Sequence, residues 1–293
     1  MWMSDTGRLG TEDTDPRLTA IDQWPPGAIL AALWEGQLAA VAAVGPALPA
    51  LERAAAAALP RLQSGGYLAY AGAGTSGRIA AQDGAELTPT FGWDRLVLLI
   101  AGGPAALLHA AEGAEDRTDT AQADAATLGP GDVLIAVAAS GRTPYTIACV
   151  ETARANGALT IAIANSPGTP LLLAANHPVL IETGAEPIAG STRMKAGTAQ
   201  KVALNVLSTL LMIGLGRVYQ GRMVDMAVTN AKLRARAVAM VRELACVDAD
   251  AATAAMQAAD EHVKLAILLA QGRDRATALA ALAEAQGHLD RIL

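Results

Sequence analysis

The feature that most constrains this chain is the rhythm of its middle third. Short runs of consecutive apolar residues recur at 67–71, 96–100, 133–138, 159–164 and, more briefly, 179–181. Most run directly into turn-forming residues such as Gly72 and Gly74, Gly102 and Gly103, Ser140 and Gly141, or Pro167 and Gly168. Segments compatible with helix fall between them. Strands that are apolar at every position are buried on both faces, and strands that alternate with helices build a parallel sheet covered on two sides. The pattern therefore predicts an α/β fold. In such sheets ligands bind beyond the carboxyl ends of the strands, which is where the glycine, serine and threonine clusters fall.

The flanks read as helical. From 26 to 62 the chain is rich in Ala and Leu, and Pro46, Pro49 and Pro60 punctuate it into two predicted helices. The polar, turn-rich residues 1–24 read as extended or loosely helical, and the polar start from Met1 to Gly10 lacks the apolar core of a signal peptide. The apolar stretch 202–215 is shorter than the roughly 20 residues that span a bilayer and reads as a buried helix. Residues 223–244 are predicted helical. Breaks near Gly272 and Gly287 divide the Ala-rich tail into three short helices, a small helical subdomain.

Composition excludes several classes. Aromatic residues make up 3% of the 293 and net charge is −6, with no Lys/Arg-rich block, which argues against a nucleic-acid surface. Two cysteines make no disulfide framework, and four scattered histidines lack metal-ligand spacing. The expectation is a soluble cytoplasmic protein, with no nucleic-acid partner, no membrane and no metal.

Four clusters carry candidate chemistry. Gly72-Ala73-Gly74-Thr75-Ser76-Gly77-Arg78 follows a strand and opens a helix. Glycines let the backbone close on a ligand, the helix N-terminus offers unpaired N–H groups, and Thr75 and Ser76 add hydroxyls; the set suits a phosphate monoester. Ser140-Gly141-Arg142-Thr143-Pro144 follows another strand. Ser140 and Thr143 suit phosphate or sugar hydroxyls, while Thr143 before Pro144 equally suits a helix cap. Residues 184–201 hold Glu186, Ser191, Thr192, Arg193, Lys195 and Lys201, a basic concentration read here as anion binding rather than as a solvated face. Two carboxylates complete the list: Glu86, on a helix that Pro89 and Gly92 should break, and Glu115, after the second strand. Near two strand ends they suit division of acid and base work.

In order along the chain, these blocks resemble the N-acetylmuramic acid 6-phosphate etherases. The similar segments are Ala73 to Arg78, Glu86 with Pro89-Thr90-Phe91-Gly92, Ile100 to Gly103, Glu112-Gly113-Ala114-Glu115-Asp116, Ala139 to Tyr145, and 184–201. The last also looks like a signature of glucokinase regulatory proteins. Thr11-Glu12, Ile21-Asp22, Met223-Val224-Asp225 and Thr229-Asn230 are similar too.

The resemblance implies a flavodoxin-like SIS domain over 57–222, behind an N-terminal extended and helical segment, 1–56, and before C-terminal helices, 223–293. It implies a homodimer without metal or organic cofactor that cleaves the D-lactyl ether of a phosphorylated amino sugar. Glu115 matches the family base and Glu86 the acid, one of them with a pKa raised by partial burial or by its neighbour. Gly74, Thr75, Ser76, Ser140, Arg142, Thr143, Glu186, Ser191, Thr192, Arg193 and Lys195 are the expected substrate contacts. The sequence departs from the family at Leu87-Thr88, beside Glu86, where Cys-Pro is usual. A non-catalytic phosphosugar regulator and an aldose–ketose isomerase remain as alternatives, and a nicotinamide dehydrogenase as a more distant one.

Overall fold

A computed structural model describes residues 10–293. Residues 1–9, most of the stretch 1–10 read above as lacking a signal-peptide core, lie outside the described residues, and so does that expectation. By contacts the chain forms two compact units, one of residues 1–84 and 95–207 and the other of 85–94 and 208–293.

The first unit is built on a parallel sheet. Its strands are β1 (Leu68–Gly72), β2 (Leu96–Ile100), β3 (Val133–Val137), β4 (Leu159–Ala164) and β5 (His177–Leu180), in the order β2-β1-β3-β4-β5. Four predicted runs match to within one residue; the last begins two residues earlier than predicted, at His177. Every residue of β1, β3 and β4 is buried, as expected for strands covered on both faces. Burying side chains such as Ile135 and Ile161 contributes about 1.5–3 kcal/mol each. One face of the sheet is lined by small residues, Ala69, Ala71, Ala136 and Ala162, which let Tyr145, Cys149 and Val150 of α5 (Pro144–Ala155) pack closely. The short helix α4 (Thr118–Ala125) lies beside α5, and α2 (Leu48–Gln63) contacts β3, β4 and β5.

The order 2-1-3-4-5 is that of a flavodoxin-like sheet, in which the order of strand addition reverses between β1 and β3. In register, Gly72 lies opposite Ile100 on one side and Val137 on the other, so the loops after β1, β2 and β3 leave the sheet at one edge.

Three helix boundaries differ from the sequence expectation. Pro60 does not end α2, which continues to Gln63; the proline gives up one N–H and crowds the carbonyl four residues back, a cost the helix carries within its final turn. Pro89 likewise sits inside α3 (Gly74–Phe91), which ends only where Gly92 turns to φ +63°. Residues 223–230 are not helical. Val218–Tyr219 (β6) and Arg222–Met223 (β7) instead form a hairpin around Gln220 and Gly221, both at positive φ, the geometry of a two-residue primed turn.

α1 (Pro26–Ala42) carries a stripe of exposed apolar side chains, with Leu30 68% and Trp34 63% exposed. α1 and α2 together are apolar enough to resemble a membrane span, but each has fewer residues than the roughly 20 a bilayer requires. α7 (Lys195–Gly214) contains the apolar stretch read as a buried helix; 56% of its most apolar window is buried within the protein.

The second unit contains α8 (Ala231–Ala245), α9 (Ala249–Ala258), α10 (Val263–Ala270) and α11 (Arg275–Glu284) around one apolar cluster. The side chains of Asn230, Asp248 and Asp274 cap α8, α9 and α11 by accepting from backbone N–H groups. The tail holds three short helices, as expected, with a break at Gly272 as predicted; the break between α9 and α10, however, falls at Asp260 and Glu261, both at positive φ, and not at a glycine.

Candidate functional site

At the carboxyl edge of the sheet, β1 turns into α3 with almost no connection. The turn depends on Gly72 and Gly77 having no side chains. A methyl on Gly72 would lie 2.9 Å from Gly77 Cα, and one on Gly77 would lie 2.8 Å from the Gly72 carbonyl oxygen. That approach aims the N-terminus of α3 out of the sheet edge. Gly74 is exposed there, Thr75 half-buried and Ser76 buried.

The loop after β3 lies next to it, on the other side of the switch point. Thr143 occupies the N-cap of α5 and Pro144 its first position, as the capping alternative predicted. The Thr143 side chain makes no capping bond, however. Ser140 Oγ accepts from the Arg142 backbone N–H at 3.2 Å, and the Arg142 side chain is exposed. A capped-position hydroxyl without a capping bond and a helix N-terminus with open N–H groups suit an anion.

The segment before α7 comes to the same place. A methyl on Gly197 would meet Ile79 Cδ1 at 3.3 Å and Thr75 Cγ2 at 3.5 Å, so the first turn of α7 packs on the first turns of α3. Ser191, Thr192 and Arg193 precede that turn, with Arg193 exposed.

Glu186 has a structural task that the sequence did not disclose. It is fully buried, and its two carboxylate oxygens accept from the backbone N–H groups of Lys195, at 2.8 Å, and Ala196, at 2.9 Å. It thus caps α7 from outside the helix. Burial pushes its carboxyl above the usual range, partly offset by those two N–H donors and the Lys195 charge. The Lys195 ammonium donates to the Ala185 carbonyl at 2.8 Å, and burial lowers its pKa.

Glu115 lies in the loop after β2. It lines a cleft of about 200 Å³ together with Gly74 and Arg78, so the loop after β2 meets the first turn of α3. Glu86 lies farther along α3, in the stretch that belongs to the second unit. Both carboxylates are exposed in the isolated chain, so the partial burial expected of one of them is not present.

Two polar residues were missed by the sequence reading. Asp83 is buried on α3 and accepts from Tyr70 and Asn205. Arg78 was noted only as the end of the glycine cluster, yet its guanidinium reaches across to the loop after β2. A lone acid among small residues and an arginine closing a glycine motif were the available signals.

Fold and site together define a SIS-domain protein. The N-terminal SIS domain of glucokinase regulatory protein matches residues 50–154, and the general SIS domain matches residues 112–210. A phosphoheptose isomerase from Francisella tularensis shares the fold at a TM-score of 0.50 and 20% identity, over 65% of this chain and 100% of that one.

Full-length relatives narrow the class. The chain is 50% identical over 296 residues to the N-acetylmuramic acid 6-phosphate etherase of Deinococcus radiodurans, covering 99% of this chain and 96% of that one. It is 46% identical over 287 residues to the enzyme of the same name from Streptomyces avermitilis, covering 96% and 92%. The chain belongs to the N-acetylmuramic acid 6-phosphate etherase family.

Proposed function

We propose that this protein is a carbon–oxygen lyase that cleaves the D-lactyl ether of N-acetylmuramic acid 6-phosphate, giving N-acetylglucosamine 6-phosphate and D-lactate. The observation that carries the reading is the near full-length identity to etherases, with Glu115 beside the glycine loop.

The substrate's phosphate goes to the helix N-termini and hydroxyls at the switch point: Gly74, Thr75 and Ser76 on one side, Ser140, Arg142 and Thr143 on the other. Ser191, Thr192, Arg193 and Lys195 border the same region. Glu186 acts there indirectly, by holding the start of α7 in place.

In the open-chain sugar the C1 aldehyde acidifies the C2 proton. Glu115 removes it as base. The C3–O bond then breaks, Glu86 gives its proton to the departing lactyl oxygen, and D-lactate leaves. Water adds at C3 of the unsaturated aldehyde, restoring the hydroxyl. Each acid–base step is typically worth about 10²–10⁴-fold.

The same reading includes a soluble cytoplasmic homodimer. The exposed stripe of Leu30, Trp34, Leu38 and Val41 on α1 supports it, because contiguous apolar surface of this kind marks a contact face. Light scattering of the purified protein should give twice the 29.8 kDa chain mass.

The functional test is incubation with N-acetylmuramic acid 6-phosphate and measurement of both products. Equimolar D-lactate and N-acetylglucosamine 6-phosphate are expected. Phosphosugar binding without lactate would overturn the reading in favour of a regulator.

A further inference from the structure

The loop that carries Glu115 is weakly built. Between Gly102 and Arg117 it contains two short 3-10 turns, Pro104–Leu107 and Ala114–Asp116. It leaves β2 through Gly102 and Gly103 and re-enters a turn at Gly113, all in the left-handed region that favours glycine. Leu107, Leu108 and residues 109–113 are exposed. Ala106 is its one buried side chain before Gly113, packed with Ala81 and Ile100.

One side chain ties this loop to the helix beneath it. Arg78 Nε donates to the Ala106 carbonyl at 3.0 Å, and Nη2 donates to the His109 carbonyl at 3.2 Å. Among the described residues, the other hydrogen bonds of 104–113 run to Gly103 or stay within the loop. Arg78 belongs to the first turns of α3, which also present Thr75 and Ser76. It lines the same cleft as Glu115.

We propose that Arg78 is a positioning residue: it clamps the loop after β2 to the first turns of α3 and so fixes Glu115 relative to the phosphate end of the site. The proposal rests on the reading of Glu115 as the base. The planar fork matters more than the charge. Guanidinium nitrogens set at fixed angles hold two carbonyls three residues apart, which a single ammonium on a flexible stem does not reproduce. Displacing a reacting group by about 1 Å costs on the order of 10²-fold in rate.

The test compares the parent with Arg78→Lys and Arg78→Ala in two measurements. Hydrogen exchange should show faster exchange confined to the amides of 104–116 in both variants, with thermal midpoints close to the parent. Steady-state kinetics on N-acetylmuramic acid 6-phosphate should show kcat reduced about 10²-fold, with a smaller change in KM. Unchanged exchange in this loop would overturn the proposal. So would a loss confined to KM, which would make Arg78 a phosphate ligand. If the parent released no D-lactate, the etherase reading would fail, while the exchange measurement would still decide whether Arg78 clamps the loop. Should Arg78→Ala not fold, Arg78→Lys, which keeps the stem and the charge, decides alone.

Discussion

The Tyr70 hydroxyl donates to Asp83 Oδ2 at 2.7 Å, joining the middle of β1 to α3 through two buried side chains. Asn205 of α7 donates to the other oxygen of the same carboxylate at 2.6 Å. The bonds therefore link the sheet to α3 and α7, the two helices whose N-termini are proposed to border the site. Tyr70→Phe removes one donor and leaves a buried carboxylate less well satisfied. Hydrogen bonds to charged groups are worth about 1.5–3 kcal/mol, so urea unfolding should show a loss of that size. A loss near zero would mean that this network does not hold the helices.

Glu186 predicts a pH dependence of stability. Its folded-state pKa lies above the reference 4.5, mainly through burial. Just above pH 4.5 the unfolded chain has released a proton that the folded protein still holds. The folded state then binds more protons, so this group's contribution to stability falls as pH rises through the interval above 4.5. Glu186→Gln has no proton to lose and should flatten that part of the curve, while lowering the midpoint through a weaker cap on α7. An identical slope in parent and variant would contradict the assignment.

The two cysteines should react very differently. Cys149 is wholly buried between α5 and α4, and burial pushes its thiol up to about 12. Cys246 is exposed at the end of α8. A thiol reagent at pH 8 should therefore modify one cysteine per folded chain and two in denaturant. Rapid modification of both in the folded state would show that the α4–α5 face opens readily.

Glu115→Gln and Glu86→Gln should each reduce lactate release by about 10²–10⁴-fold, the usual worth of one acid or base step, with intact folding by circular dichroism. Ser140→Ala and Thr143→Ala should act chiefly through KM, since the proposed function gives their hydroxyls a binding role only. Retention of full kcat in Glu115→Gln would remove it from the role of base.

Much of the fold was legible because the strands are locally unambiguous. Runs such as 133–138 are apolar at every position, and the glycines after them are required by backbone approach, as at Gly72 and Gly77. The break between α10 and α11 was legible from Gly272, but the one between α9 and α10 was not, because Asp260 and Glu261 turn the chain there without a glycine. What misled was local punctuation: α2 and α3 carry past Pro60 and Pro89 in their last turns, and the helix read from Met223 begins only at Ala231 because Met223 ends a hairpin.

Within the site, the clusters themselves were legible but not the division of labour among them. Glu186 looks like a ligand in sequence because it stands beside Lys195, Ser191 and Thr192. Only three-dimensional folding turns both its oxygens onto the backbone of α7. Arg78 is equally opaque, because its partners are carbonyls 28 and 31 residues away, and carbonyls leave no mark on side-chain sequence.

The central claim, that the ether is lost by elimination after removal of the C2 proton, is tested most directly by running the reaction in deuterium oxide and weighing the sugar product. The account predicts that N-acetylglucosamine 6-phosphate carries one carbon-bound deuterium, at C2, for each D-lactate released. Lactate accumulating alongside a product that retains its original C2 proton would contradict it.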